Sequence, residues 1–539
     1  MRNNKAKGMN LSRIVERHAQ FTPCKRALHW HGQDISYPAL WQRIDHATSA
    51  LLQAGVREGE RVAWLGLNDP RLLVLLFALA RIGAMLLPLN YRLAQAEQQQ
   101  ILAHAGARWI FADEHHGDVV QVLVQGQVAE QLPLQILESA GLQSVVPADP
   151  ALLCGDDAAS VLLVYTSGTS GRPKGAVHTQ AGLLWNCVNA SHAQELSADD
   201  HVLTVLPLFH VGGLCIQTLP ALHAGASVTL HRRFEPGLWL RDVQARRPTL
   251  SLMVPATLRA AMAHPDWSGC DLSSLRLLVA GSSVVPRDLI DAFHARGIPV
   301  GQVYGATETG PVSIYLRRDD AMRVPGSTGK AGLHVRVRLV DVYGRDVTCG
   351  EVGEVWIQAP NLMREYWREP DHPSFQQGWF HSGDLARQDA DGFYWVVGRS
   401  TDMIISGGEN IYPAEIENLL VASADIAEVA VMGQKDPTWG EVVVAVVVPA
   451  RGAQPTVQDV QALLEGRIAR FKIPRRVVFL AELPKTALGK IQKPVLLAAL
   501  NEAGDGGPAP IALLSDVNGQ RYRLSTPAGI CEWSRGLHR

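Results

Sequence analysis

Up to about residue 300, short apolar runs alternate with segments of helical period. That alternation restricts the chain to layered α/β folds built on largely parallel sheet. Arg61–Leu67 (RVAWLGL) has the composition of a strand, Asp69–Ile82 of a helix, Ala84–Leu89 of a strand and Ala94–Ala105 of a helix. An irregular, proline-containing connector occupies Leu132–Asp156, and the same alternation resumes at Ser160. Val202–Pro207, Ala226–Leu230, Leu250–Val254 and Leu275–Ala280 are predicted strands, with helical stretches such as Pro286–Arg296 between them. From about residue 330 the pattern shifts to short β runs with glycine turns, Val335–Val340 and Gly353–Gln358, which implies a small barrel or sheet appended to the α/β body. A break follows at Gly398-Arg399-Ser400-Thr401-Asp402. Beyond it, Pro413–Ala422 is a predicted helix and Glu441–Pro449 (EVVVAVVVP) a predicted strand of a compact α+β unit ending near Leu500.

At 539 residues the chain is too long for one core; at ~100–200 residues per domain it makes three or four units. The division expected is an N-terminal domain over 1–398 with its β subdomain at about 330–398, a C-terminal domain over 399–500, and a tail over 501–539 of no assigned role. The tail opens on Gly504-Asp505-Gly506-Gly507-Pro508 and is predicted to be mobile. With 47% apolar and 19% charged residues the chain reads as an ordinary soluble globular protein. A net charge of −2 and the lack of a long Lys/Arg run argue against nucleic acid or an anionic membrane as partner. Seven widely spaced cysteines, with no CxxC and no HExxH, argue against a disulfide framework or a zinc site and suit a reducing cytoplasm. The polar N-terminus lacks the apolar core of a signal peptide, and Met9 opens a more natural helix start than Met1. The most apolar run, Leu72–Ala80, is half a membrane span and reads as a buried helix.

Chemistry concentrates in five stretches. The first, Tyr165–Gly175 (YTSGTSGRPKG), directly follows the strand-like Val161–Val164. Its hydroxyls, its glycines (which let several backbone N–H groups point one way) and its cations are what a polyphosphate needs. It is not a Walker A loop, because Pro173 precedes Lys174 and no Ser or Thr follows. The second, YGATETG (Tyr304–Gly310), follows strand-like Pro299–Val303 and offers the Thr307 hydroxyl and Glu308 carboxylate to a phosphate oxygen and its Mg²⁺. The third, FHSGDLA (Phe380–Ala386), puts Asp384 after a glycine turn, suited to a two-oxygen contact with a ribose. The last two are GRSTDMIISGGENIYPAEIE (Gly398–Glu417) and LPKTALGKIQK (Leu483–Lys493).

With these five in order over roughly 10–500, the chain resembles the acyl-adenylate-forming superfamily: acyl-CoA synthetases, peptide-synthetase adenylation domains and luciferases. GGENIYPAEIE and LPKTALGKI are wording shared with CoA ligases for aryl and fatty acids. The resemblance implies a large multi-subdomain α/β N-terminal domain with a small β-barrel, plus a small mobile α+β C-terminal domain. It implies ATP, Mg²⁺ and CoA as cofactor and co-substrates, and a reaction through acyl-AMP and pyrophosphate. Thr166, Ser167, Gly168, Thr169, Ser170, Gly171 and Lys174 would then close over the β- and γ-phosphates, with Thr166 and Glu308 at the metal. Tyr304 and Gly305 would contact the nucleotide, Tyr304 stacking on adenine, with Gly281, Ser282 and Ser283 on the other side. Thr307 would hold the α-phosphate, Asp384 and Arg399 the ribose, and Lys490 would bridge the substrate carboxylate and α-phosphate. Arg399 read as a structural salt-bridge partner of Asp384 is the plainer alternative. The pivot between the two half-reactions falls on Thr401, where many relatives carry Asp or Lys, and Asp402 stands beside it. Gly407 and Gly408 would leave room for the pantetheine arm of CoA.

The acyl pocket implied by the resemblance lies along Leu206–Gly213 (LPLFHVGG), Gly281, Gly305, Pro311 and Val312, with His210 placed to gate the carboxylate. Gly212 and Gly213 are read as leaving volume, and the segment supplies no Arg or Lys for a second carboxylate. An apolar aliphatic or aromatic monocarboxylic acid is the expected substrate. Transfer to a carrier protein and a non-catalytic acyl-nucleotide sensor are the alternatives, and a homodimer stays open. A peptide-synthesis domain would want an Asp near Phe209–Val211, where His210 stands.

Overall fold

The computed structural model describes residues 10–125, 130–137, 148–167, 173–281, 285–406, 409–436, 438–486, 490–502, 513–515 and 521–523. The chain forms two compact units. One comprises Met1–Ser282, Phe293–Val337 and Trp356–Ser382; the other comprises Ser283–Ala292, Arg338–Val355 and Gly383–Arg539.

The first unit holds two sheets. The larger has nine strands in the order Lys330–Ala331, Ile314–Tyr315, Val300–Tyr304, Leu277–Gly281, Leu250–Met253, His201–Thr204, Ser227–Leu230, Arg26–Trp30, Gln33–Ser36. From Val300–Tyr304 through Arg26–Trp30 all neighbours are parallel. The other has seven strands, in the order Glu365–Tyr366, Pro173–Thr179, Ser160–Ser167, Met85–Leu89, Arg61–Leu65, Trp109–Ala112, Glu130–Gln131. The predicted elements are present, several of them shorter than predicted. The strand from Arg61 stops at Leu65 because Leu67 leaves the ladder and gives its N–H to the Asp113 carboxylate, 2.9 Å away. The strand predicted to reach Pro207 stops at Thr204, and the Leu206 carbonyl accepts instead from the Asn68 amide at 3.0 Å.

Helix Pro70–Ile82 shows why Leu72–Ala80 is apolar all round. Pro70 opens it, the Asp69 carboxylate caps it by accepting from Arg71 N–H, and Gly83 closes it at φ 84, a conformation glycine adopts without a Cβ penalty. Every residue from Leu72 to Ala80 is buried. Among the described residues no helix is long and apolar enough to cross a membrane.

In the second unit, Ile426–Asp436 pairs antiparallel with Gly440–Pro449, and Arg476–Phe479 adds in parallel. EVVVAVVVP is apolar at consecutive positions because both faces are covered. Val443, Ala445 and Val447 pack with Ile416, Leu420, Val457 and Val460 of helices Pro413–Val421 and Val457–Ala462. Val444, Val446 and Val448 face the other way, onto Leu496 and Leu500 of helix Lys493–Glu502. Part of the tail carries structure that its composition hides: Leu513–Ser515 pairs antiparallel with Arg521–Arg523.

Two histidines are built into the first unit uncharged. His178, on strand Pro173–Thr179, is fully buried, and burial pushes its imidazole down to about 4. His201 is pushed to about 4 by burial and by the nearby Arg26 guanidinium; its ring accepts from the Thr229 hydroxyl and donates to the Arg246 carbonyl. In the unfolded chain each would titrate near 6.5, so between about 6.5 and 4 the unfolded state binds protons that the folded state refuses. Stability is therefore expected to fall as pH drops through that window, each histidine contributing on the order of 3 kcal/mol. Urea midpoints measured from pH 7.5 to 4.5 check this; a flat series would show that the two rings are protonated in the fold.

Candidate active site

Two loops of the first unit leave the carboxyl ends of parallel strands in one sheet, those after His201–Thr204 and Val300–Tyr304, and strand Leu277–Gly281 of the same sheet ends between them. Ligands of open α/β sheets bind along that edge, because the loops there present backbone N–H groups and side chains without interrupting the ladders. The edge gathers His210, Gly281, Tyr304, Gly305, Thr307 and Glu308 in the chain's own order. Gly281 and Val303 are register partners, so the ends of these two strands lie side by side.

After Tyr304 the backbone turns through one 3-10 turn, Thr307–Thr309, with Thr307 buried and Glu308 half-buried. The turn is pinned from outside: the Thr309 hydroxyl accepts from Ala306 N–H at 2.9 Å, and the buried Asn361 amide donates to the Thr309 carbonyl at 2.6 Å. Glycine is required at two positions by close approach alone. A Cβ on Gly305 would lie 1.7 Å from the Pro311 carbonyl oxygen, and one on Gly281 would lie 2.7 Å from that of Val303.

Glu308 is oriented by a segment that carries no recognisable motif. Its carbonyl accepts from Met363 N–H at 2.8 Å, and its Oε1 accepts from the Tyr366 hydroxyl at 2.7 Å. Tyr366 belongs to the two-residue strand Glu365–Tyr366, which pairs with Ala176 and Val177. That places it beside the hairpin that carries the Tyr165–Gly175 motif. The hairpin itself runs from strand Ser160–Ser167 into Pro173–Thr179, with Thr166 opposite Lys174 and Ser167 opposite Pro173. Lys174 points over the Tyr366 ring, 5.4 Å from its centre, and its Nζ is 2.6 Å from Nε2 of His372. Tyr366 thus stands beside both residues: its hydroxyl bonds Glu308, and Lys174 lies over its ring. Residues Gly168, Thr169, Ser170 and Gly171 lie outside the described residues, as do Ser282, Ser283, Gly407 and Gly408.

His210 caps the short helical turn Val211–Gly213, its Nδ1 accepting from Gly212 N–H at 3.0 Å. Burial pushes its imidazole down to about 4, so near neutral pH it is uncharged, with its proton assigned to Nε2. Gly213 does not leave pocket volume: a Cβ there would lie 2.2 Å from the Pro207 carbonyl oxygen, so its smallness serves the packing of the segment on itself.

In the second unit, Asp384 and Arg399 are register partners on antiparallel strands, and Arg399 Nε donates to Asp384 Oδ1 at 2.8 Å. The Gly383 N–H goes to the Glu354 carboxylate at 3.0 Å, which holds the turn before Asp384. Lys490 shares this neighbourhood. Its side chain is open to solvent, yet crowding by protein and then the Arg399 guanidinium hold the ammonium below the usual lysine range, with Asp384 and Asp402 pulling the other way. Its backbone is tied to Thr486 in both directions, Thr486 N–H to the Lys490 carbonyl at 2.7 Å and Lys490 N–H to the Thr486 hydroxyl at 3.2 Å. The sequence reading missed Tyr366, His372 and Glu354, none of which lies in the five stretches singled out there.

The donor set fits Mg²⁺ arriving on a triphosphate. Among the described residues no cluster of three or more His, Cys, Asp or Glu could cage a metal. The Glu308 carboxylate and the Thr166 hydroxyl would be the few hard protein oxygens such an ion uses when phosphates and water supply the rest.

The chain matches the family model described as AMP-binding enzyme over residues 15–367, and the AMP-binding enzyme C-terminal domain over 415–490. It is 46% identical to an indoleacetate–CoA ligase of Aromatoleum aromaticum over 502 residues, spanning 90% of this chain and 97% of that one. It is 42% identical to a feruloyl-CoA synthase of an Amycolatopsis species over 479 residues, 88% of this chain and 96% of the other. A solved anthranilate CoA ligase with anthranoyl-AMP bound superimposes with a TM-score of 0.84 at 27% identity, covering 92% of this chain and 98% of that one. The O-succinylbenzoate CoA synthetase of Bacillus subtilis with ATP and magnesium superimposes at 0.78 and 27%, covering 89% and 98%.

Proposed function

The chain belongs to the AMP-binding enzymes, and we propose that within this family it is specialised for an aromatic monocarboxylic acid. It is an ATP-dependent carboxylic acid–CoA ligase that works in two steps: acid and ATP give acyl-AMP and pyrophosphate, then acyl-AMP and CoA give acyl-CoA and AMP. ATP, magnesium and CoA are its cofactor and co-substrates.

The observation that carries the aromatic reading is the 46% identity, over nearly the whole of both chains, to a ligase named for indoleacetate. Two features of the chain support it. The Leu206–Gly213 stretch has no cation to meet a second carboxylate, and the one titratable group there, His210, is neutral. An uncharged Nε2–H can donate one hydrogen bond to a carboxylate without holding it as tightly as a cation would.

In the chemistry we propose, two anions must approach, and the barrier is largely electrostatic. Lys174 and the Thr166 hydroxyl hold the pyrophosphate end, while Thr307 takes the α-phosphate. Glu308, oriented by Tyr366, and Thr166 would hold the magnesium, whose bound charge neutralises phosphate oxygens. Asp384 accepts from the ribose hydroxyls while Arg399 keeps its carboxylate aimed, so the salt bridge and the ribose contact are parts of one arrangement. Lys490 brings an ammonium between carboxylate and α-phosphate. Rotation of the C-terminal domain about Thr401–Asp402 is part of the same proposal. So is a cytoplasmic location, which suits the six described cysteines, all of them free thiols.

CoA-dependent AMP release with indole-3-acetate, ferulate, decanoate, palmitate and malonate tests the reading. An aromatic acid is expected to exceed both fatty acids in kcat/KM by on the order of 10-fold or more, as pocket contacts allow, with malonate inactive. A fatty acid at the top of the ranking would overturn it.

A further inference from the structure

We propose that His372 is a positioning residue for the loop lysine: its imidazole holds Lys174 beside Tyr366 and Glu308 until a triphosphate takes the ammonium over. The inference rests on the reading of Lys174 as a β/γ-phosphate contact and adds to it the group that prepares the lysine.

The geometry is local and specific. His372 is nearly enclosed, its side chain only 12% exposed, and its ring meets that of Tyr366 edge-on at 4.5 Å. Nε2 is 2.6 Å from Lys174 Nζ, while Nδ1 is 3.1 Å from the backbone N of Ser374. Glu369 Oε2 lies 4.0 Å from Nε2, and the Tyr366 hydroxyl donates a hydrogen bond to Glu308. Lysine, histidine, tyrosine and glutamate therefore form one continuous row, and the lysine end of it is where the phosphate hairpin begins.

Proton counting shows that this contact can hold but not lock. A neutral imidazole has one lone pair and one N–H; an ammonium has donors only. If Lys174 donates to Nε2, the ring proton sits on Nδ1 and faces the Ser374 N–H, donor against donor. If Nδ1 accepts from Ser374 instead, the Nε2–H faces the ammonium. In either tautomer one of the two contacts is unfavourable. A phosphate oxygen, with full negative charge and several lone pairs, accepts from the ammonium with no such conflict and makes the stronger charge-assisted bond. Transfer of Lys174 from His372 to the incoming nucleotide is thus downhill, and the long side chain starts already gathered near its target instead of spread over its rotamers. No motif marks the residue: His372 lies in the stretch PDHP, three residues before the start of strand Phe375–Gln376.

The test is the ATP dependence of pyrophosphate release at saturating acid for His372→Ala, His372→Gln, Lys174→Ala and the Lys174→Ala/His372→Ala double variant. His372→Ala should raise KM for ATP about 5- to 10-fold, the scale of one lost pre-organised contact, with kcat changed by less than about twofold. His372→Gln, whose Oε1 can stand where Nε2 does, should restore KM to within about twofold. The double variant should be no worse than Lys174→Ala alone, because the histidine acts only through the lysine. An unchanged KM in His372→Ala, while Lys174→Ala raises it, overturns the proposal and leaves the lysine's role standing. A drop in kcat and melting temperature without a KM change, unrescued by Gln, assigns His372 a purely structural role and also overturns it. An unchanged KM in Lys174→Ala overturns the underlying reading, and the proposal with it.

Discussion

Lys490→Ala is expected to slow acyl-adenylate formation by on the order of 10²–10³-fold, the effect of removing one aimed donor from a developing charge. Conversion of preformed acyl-AMP to acyl-CoA should survive the change much better, because thiolysis expels AMP and no longer has to bring a carboxylate onto a phosphate. The surroundings of the lysine favour this assignment. The residue is exposed, and crowding by protein and then the Arg399 guanidinium hold the ammonium below the usual lysine range, against the pull of Asp384 and Asp402. An exposed side chain contributes little to folding, so the melting temperature of the variant should stay within experimental scatter of the parent's. Single-turnover measurements of the two half-reactions check the prediction. Equal losses in both would remove Lys490 from the adenylation step and reduce it to a residue that holds the Thr486 turn.

Gly305→Ala is expected to destabilise the first unit by roughly 4 kcal/mol or more, in the exceptional range for a single substitution, and to abolish adenylation in whatever protein remains folded. The reason is steric. The added methyl would meet the Pro311 carbonyl oxygen at 1.7 Å, its carbon at 2.5 Å and the Thr309 hydroxyl at 2.9 Å. Relaxation is blocked on both sides: Asn361 holds the Thr309 carbonyl, and the Asn186 side chain accepts from Val312 N–H at 3.1 Å. Both asparagines are fully buried, so moving the loop would strand amide groups without partners. Gly269→Ala is the matched control, since nothing lies within 4 Å of a Cβ there. Urea unfolding and a pyrophosphate-release assay on both variants decide it. A Gly305→Ala protein within about 1 kcal/mol of the parent and fully active would mean that the loop is free to shift.

Gly305 also shows where the folded chain gives a motif residue a reason that sequence reasoning did not supply. As part of YGATETG it is assigned to nucleotide and acyl contacts; the folded chain adds that a carbonyl fills the place of its side chain. Gly213 goes further in the same direction, for there the packing explanation displaces the one from pocket volume. In both cases the deciding neighbour is a backbone carbonyl, of Pro311 and of Pro207, whose close approach no residue-type pattern shows.

The sequence by itself determined the layered α/β body, the positions of its strands to within a few residues, the buried helix at Pro70–Ile82 and the two-faced strand Gly440–Pro449. These follow from periodicity and local composition, which act over a few neighbours and need no knowledge of what packs where. It also singled out the stretches proposed to carry the chemistry, because hydroxyls, glycines and carboxylates at fixed spacing are properties of short segments. The tertiary structure alone decided how those side chains are held. Tyr366 reaches Glu308 across fifty-eight positions from a two-residue strand whose place at the edge of the Ser160–Thr179 hairpin is set by backbone pairing, and His372, a few residues further on, reaches Lys174 across one hundred and ninety-eight. Backbone pairing reads no side chain, so residues brought together by it leave no mark in the spacing of the sequence.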